Sequence, residues 1–127
     1  MIRMSILYPN TPGGRFDHHY YETVHIPMAL DLLGGAVRSV SIERGVSPGP
    51  PWPDPPYTAI CHFVCESLAA YQRALLPHMA RLQGDLANYS DRAAIIQVGE
   101  ITIDRAVRPR RKGTCSIQPD PASKPGT

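Results

Sequence analysis

The feature that most constrains this chain is the order in which its hydrophobic period changes. Six segments switch between a two-residue and a 3.6-residue repeat, and the breaks between them carry Gly, Pro or a capping side chain. In Ile2 to Tyr8, residues Ile2, Met4, Ile6 and Tyr8 fall on one face, and Arg3, Ser5 and Leu7 on the other. That alternation predicts a strand. The run from Pro9 to Gly14 ends it. Asp17 then stands as an N-cap for a helix over His18–Leu33, closed by Gly34-Gly35. Tyr21, His25, Met28 and Leu32 follow a 4-3-4 spacing, with Val24 at the edge. They form an apolar stripe with one histidine inside it. Pro27 lacks a backbone donor, so a kink or break is expected just before it.

Val37 to Arg44 reads as a second strand, with Val40 and Ile42 opposite Ser39 and Ser41. Gly45 to Pro56 holds six prolines and two glycines in twelve residues; it is a loop, since proline cannot donate to a sheet ladder. Tyr57 to Cys65 is a third strand. Ser67 caps a second helical region, where Leu68, Tyr71, Leu75, Met79, Leu82 and Leu86 share a stripe. Pro77 divides that region into two shorter helices. Asn88 to Asp91 is turn chemistry, and Ala93 to Ile103 is expected as the fourth and longest strand.

This order, βαββαβ, is the split βαβ plan of ferredoxin-like α+β domains: a four-stranded antiparallel sheet with helices on one face. Most strands carry apolar residues on both faces, so the second face also needs a cover. With only two helical regions, the natural cover is the same sheet of another copy. A homodimer through sheet-to-sheet packing, a barrel-like dimer, is therefore expected. A 127-residue chain with 43% apolar residues has a modest core to begin with.

The net charge of +2 conceals an asymmetry. Residues 105–127 carry six basic side chains against Asp120, a local +5, and the preceding 104 residues sum to −3. The expected division is a folded domain over 1–104 and a disordered, basic, Pro-rich tail over 105–127. The simplest reading of the tail is a solvated segment, with no nucleic-acid and no membrane partner. Cys61 and Cys65 lie four residues apart in one strand, about 13 Å, too far for a disulfide. With Cys115 they make an odd count and no zinc spacing, which suits a reducing compartment. No signal-peptide pattern opens the chain and no apolar run is long enough to span a bilayer, so a cytoplasmic location is expected. No G-x-G-x-x-G, P-loop or G-x-S-x-G is present in the sequence.

The residues able to carry chemistry are few. His25 sits among apolar neighbours. It reads either as a hydrogen-bonded core histidine or as a general acid/base in a pocket between helix and sheet. Tyr8 ends the first strand on the face of Ile6, where its hydroxyl could polarise an oxygen or simply stay wet. His78 follows the break at Pro77. His62 faces either a barrel lumen or a dimer seam. Asp85 and Asn88 fit backbone satisfaction in a turn. Asp17-His18-His19 suggests a metal site at first sight, but adjacent helical residues point about 100° apart, and no metal is expected.

With these residues in place, the chain resembles the EthD family of the dimeric α+β barrel superfamily. The carrying segments are Ser5–Asn10, Arg15–Tyr21, His25-Ile26-Pro27, and Pro77-His78 followed by Gly84–Ser90, with Ile95–Glu100 also fitting. The likeness spans about residues 1–103. It implies a homodimer with a pocket between helices and sheet in each subunit. It marks Tyr8, Phe16, Tyr21, His25, His78, Asp85 and Asn88 as family-typical positions. It also implies small enzymes that act on aromatic or polyketide-like molecules without a bound cofactor, many of them labelled reductases. The family's name-giving member accompanies an ether-degrading oxygenase system. Ser90 stands where threonine is usual, and the Pro-rich loop at 47–56 and the basic tail are departures.

The resulting expectation is a cofactor-independent enzyme acting on a small, largely apolar or aromatic compound. His25 would move a proton and Tyr8 and Tyr21 would orient or polarise an oxygen. Phe16, Met28, Tyr71, His78, Asp85 and Asn88 would bind the ligand, with His78 and Asp85 forming a supporting polar group. No sequence motif supports the reductase label with a cofactor site. The alternatives are a non-catalytic carrier or accessory protein of a catabolic oxygenase, and a haem binder through His25.

Overall fold

The computed structural model describes residues 1–109. Four strands, β1 (Ile2–Pro9), β2 (Val37–Arg44), β3 (Tyr57–Cys65) and β4 (Ile95–Glu100), form one sheet in the order β2-β3-β1-β4. Every neighbouring pair is antiparallel. The helical layer consists of α1 (His18–Tyr20), α2 (Ile26–Leu33), α3 (Leu68–Leu75) and α4 (Met79–Gly84). It lies on the sheet face that carries Met4, Tyr8, Ala59, Cys61, Phe63 and Cys65, all buried. The ferredoxin-like α+β plan is therefore the one the hydrophobic periods predict.

The caps form as their residue types require. Asp17 Oδ1 accepts from the Tyr20 N–H at 3.0 Å and Ser67 Oγ from the Ala70 N–H at 3.1 Å. Gly34 closes α2 at φ +57°, ψ −136°, a conformation only glycine adopts without strain. Pro77 falls in a 3₁₀ turn, Leu76–His78, between α3 and α4, as the interrupted stripe predicts.

Two expectations need correction. The strand expected over 93–103 is only Ile95–Glu100, six residues, and β3 with nine is the longest. Its register explains the shortfall. Glu100 lies opposite Ile2, where β1 begins, and one last bond joins the Ile101 N–H to the Met1 carbonyl at 3.1 Å. Among the described residues no strand pairs with β4 beyond that point. Residues 102–109 are exposed without regular structure, and the rest of the expected tail, with Cys115, lies outside the described residues.

The second correction concerns the first helical stripe. The buried residues are Tyr21, His25, Ile26, Ala29 and Leu33, whereas Met28 and Leu32 are half-buried on the flank. The cause is a π-helical turn over Tyr21–His25, in which the Ile26 N–H donates to the Tyr21 carbonyl. Pro27 cannot donate to the Thr23 carbonyl, and its ring crowds that carbonyl. The wider turn accommodates both effects and rotates the following α2 by one position.

Candidate active site

Between the helices and the sheet lies a cavity of about 470 Å³. Its floor is Ile6, Phe63 and Ile96, and its walls come from Ile26, Ala29 and Leu33 on one side and Tyr71, Leu75, Met79, Leu82 and Leu86 on the other. No Lys, Arg, Asp or Glu lines it. Polar groups gather at one end, where Tyr8, Tyr21, His25 and Tyr89 meet.

The π turn positions two of these. Tyr21 and His25 stack with ring centroids 5.6 Å apart and planes 13° from parallel. His25 is 7% exposed. Its Nδ1 lies 2.8 Å from Asp85 Oδ2, so with Asp85 ionised the Nδ1–H donates and Nε2 is the nitrogen turned away from the carboxylate. Tyr89 Oη approaches Nε2 at 3.4 Å, and Tyr8 Oη lies 2.9 Å from Tyr89 Oη. A continuous line of groups thus runs from Asp85 through His25 and Tyr89 to Tyr8.

Asp85 is held from behind. Tyr20 Oη donates to its Oδ1 at 2.7 Å and Asn88 Nδ2 donates to the same oxygen at 2.9 Å. Burial works to raise the Asp85 carboxyl. The hydrogen bonds from Asn88, His25 and Tyr20 together outweigh it and hold the group below the usual carboxylate range. Burial pushes the Tyr8, Tyr21 and Tyr89 phenols above their ordinary range. They stay protonated near neutral pH, and their hydroxyls can both donate and accept. Tyr21 Oη is fully buried beside Tyr8 and Cys61. Cys61 is also buried, and desolvation raises its thiol to about 12, so it supplies no thiolate.

Of the residues expected from sequence, Tyr8, Tyr21, His25 and Tyr71 line the cavity. Asp85 stands behind His25, and Asn88 holds Asp85. Phe16 packs behind Tyr8 and Tyr21, at 5.0 and 5.1 Å, and faces a separate cleft of about 140 Å³. Met28 is turned away by the π turn. His78 is half-buried in its 3₁₀ turn and lines neither space. The supporting polar group is therefore Asp85 with Tyr20 and Asn88, because the helix break at Pro77 leaves His78 off the cavity wall. Sequence reasoning missed Tyr89 and Tyr20. Tyr89 sits among turn residues, and a large aromatic in an otherwise polar turn was the available signal that it folds inward.

Haem ligation through His25 does not fit this arrangement. One ring nitrogen is bonded to Asp85, the other faces Tyr89, and the Tyr21 and Tyr89 rings pack at 5.6 and 4.6 Å. Among the described residues no group of three or more His, Cys, Asp or Glu is placed to hold a metal ion. No helix there is long and apolar enough to cross a membrane.

Fold and site together define a class: a ferredoxin-like α+β domain whose helix–sheet cavity ends in a carboxylate-supported imidazole among tyrosines. Residues 15–93 match the family model of the EthD domain, and the chain belongs to the EthD family. It is 36% identical to an EthD-like protein of known structure from Ralstonia eutropha JMP134, with a TM-score of 0.79 over 84% of this chain and 96% of that one. An ethyl tert-butyl ether (EthD) family protein from Bacillus halodurans C-125 shares the fold at 16% identity and a TM-score of 0.61, over 80% and 99% of the two chains. So does a Dabb family protein with a ferredoxin-like fold from Mesorhizobium loti, at 16% and 0.51, over 81% and 97%. No curated protein matches the chain.

Proposed function

We propose that this protein is a cofactor-independent enzyme that moves a proton on a small, uncharged, largely apolar or aromatic compound. The observation that carries the reading is His25, buried at the polar end of the cavity with Nδ1 held by Asp85 and Nε2 turned toward tyrosine hydroxyls. A carboxylate behind the ring selects the tautomer whose Nε2 accepts a proton and stabilises the imidazolium that results. Tyr8, Tyr21 and Tyr89 supply protonated hydroxyls for an oxygen of the ligand. Such proton traffic suits an isomerisation or dehydration and needs no external electron carrier. We also propose a cytoplasmic homodimer; sheet-on-sheet pairing is supported by the face of the sheet away from the helices, which has no cover among the described residues.

A compound carried through purification and identified by mass spectrometry supplies the substrate, and 2-naphthol fluorescence supplies an independent binding probe. In His25→Gln, turnover should fall about 100- to 10,000-fold while 2-naphthol affinity stays within a few-fold. A pure carrier would change in affinity alone, and that outcome would replace the enzyme reading.

A further inference from the structure

Away from the cavity, the register of the sheet brings one polar residue of every strand into line. Ser41 lies opposite His62, His62 opposite Ser5, and Ser5 opposite Gln97. The row crosses the face that the helices leave open. Within it Ser5 Oγ and His62 Nδ1 are 2.9 Å apart, and His62 Nε2 is 3.6 Å from Glu43 Oε1. The three side chains have the composition of a hydrolytic triad. However, β1 and β3 are inner strands whose N–H groups are committed to the ladder, so no donors remain for an oxyanion. On one side the row is flanked by Glu43, Ile60, Leu7 and Ile95, and on the other by Ser39, Val64, Arg3 and Gly99.

We propose that this row sets the register in which two copies of the chain pack sheet on sheet, the row of one copy lying over the row of the other. The inference rests on the paired-sheet reading given above. Hydroxyl, imidazole and carboxamide groups each donate and accept, so the row is complementary to itself, as an isologous interface requires. A two-fold axis that runs along the row, across the strands, sets each row residue over its own counterpart, Ser5 over Ser5 and Gln97 over Gln97. Arg3 then lies over Leu7 and Glu43 over Ser39, so neither charge faces itself. A shift of two residues, one row of the same face, instead lays Leu7, Ile60 and Ile95 over the row and leaves buried hydroxyls and amides unpaired, which folded proteins avoid. Leu7, Ile60, Val64 and Ile95 in the flanks supply the attraction, and the polar row supplies the alignment.

The test uses the full chain in two forms, Ser5→Asp and Ser5→Lys, with circular dichroism to confirm folding. Like charges facing each other should weaken each homodimer at least about a hundredfold by sedimentation. Mixing the two should restore a 1:1 heterodimer by native mass spectrometry. A wild-type chain that is monomeric at micromolar concentration removes the paired-sheet reading and this inference with it. A dimeric wild type whose two variants dimerise undiminished, or fail to pair when mixed, overturns this inference alone. Should either variant not fold, Gln97→Glu and Gln97→Lys on the exposed edge strand give the same readout.

Discussion

At the scale of single residues, Asp85 governs the candidate site without lining it. Three donors converge on its carboxylate, and their combined effect outweighs the desolvation that would neutralise it. The consequence for stability has a definite sign. The carboxyl's pKa is lower in the folded protein than in the unfolded chain, so its contribution is complete above the unfolded value, about 3.9. That contribution is lost as pH falls through the lowered folded value. Asp85→Asn should therefore cost about 1.5–3 kcal/mol at neutral pH. It should also flatten the acid side of the stability–pH curve, measured by urea denaturation between pH 3 and 6. An unchanged acid slope would mean that the carboxylate is not held by these donors. Tyr89 shows how such a residue escapes a reading of sequence. Its neighbours mark a turn correctly, but the direction of its ring depends on the cavity into which it folds.

At the scale of elements, the first helical region is where local pattern and tertiary structure part. Asp17, Pro27 and Gly34 each act as their chemistry dictates, and the limits of the region were legible from them. The buried face was not, because a π turn shifts the phase by one residue and a 3.6-residue count cannot contain it. A 3.6-residue count therefore points to Met28 as a wall residue, and the structure puts Ala29 there instead. The C-terminal cap offers a controlled comparison. At Gly34 an added Cβ meets no atom within 4 Å, so substitution is penalised by backbone conformation alone. Gly34→Ala should lower stability by about 1–2 kcal/mol. Gly35→Ala, next to it, with equal room and no positive φ, should change thermal stability by less than about 0.5 kcal/mol. Equal losses at both positions would point to a packing role instead. β4 makes the same point for strands: its apolar run continues past Glu100, but pairing stops where β1 starts.

At the scale of the whole molecule, one sheet face is packed and the other is bare among the described residues. Leu7, Ile60, Val64 and Ile95 lie on the bare side, and Ile95 is 52% exposed. The full chain should sediment at twice its 14.0 kDa mass at micromolar concentration; a single 14.0 kDa species would show that the face tolerates water. The sequence by itself determined the order of elements, the caps, the break at Pro77 and the presence of a histidine in an apolar stripe. All of these follow from interactions within a few residues along the chain. Only the tertiary structure decided that Asp85, sixty residues from His25, supports that ring, that Tyr89 caps it, and that His78 stands aside. Those pairings depend on how two helical regions settle side by side on a twisted sheet, and no local period records where two distant side chains will meet.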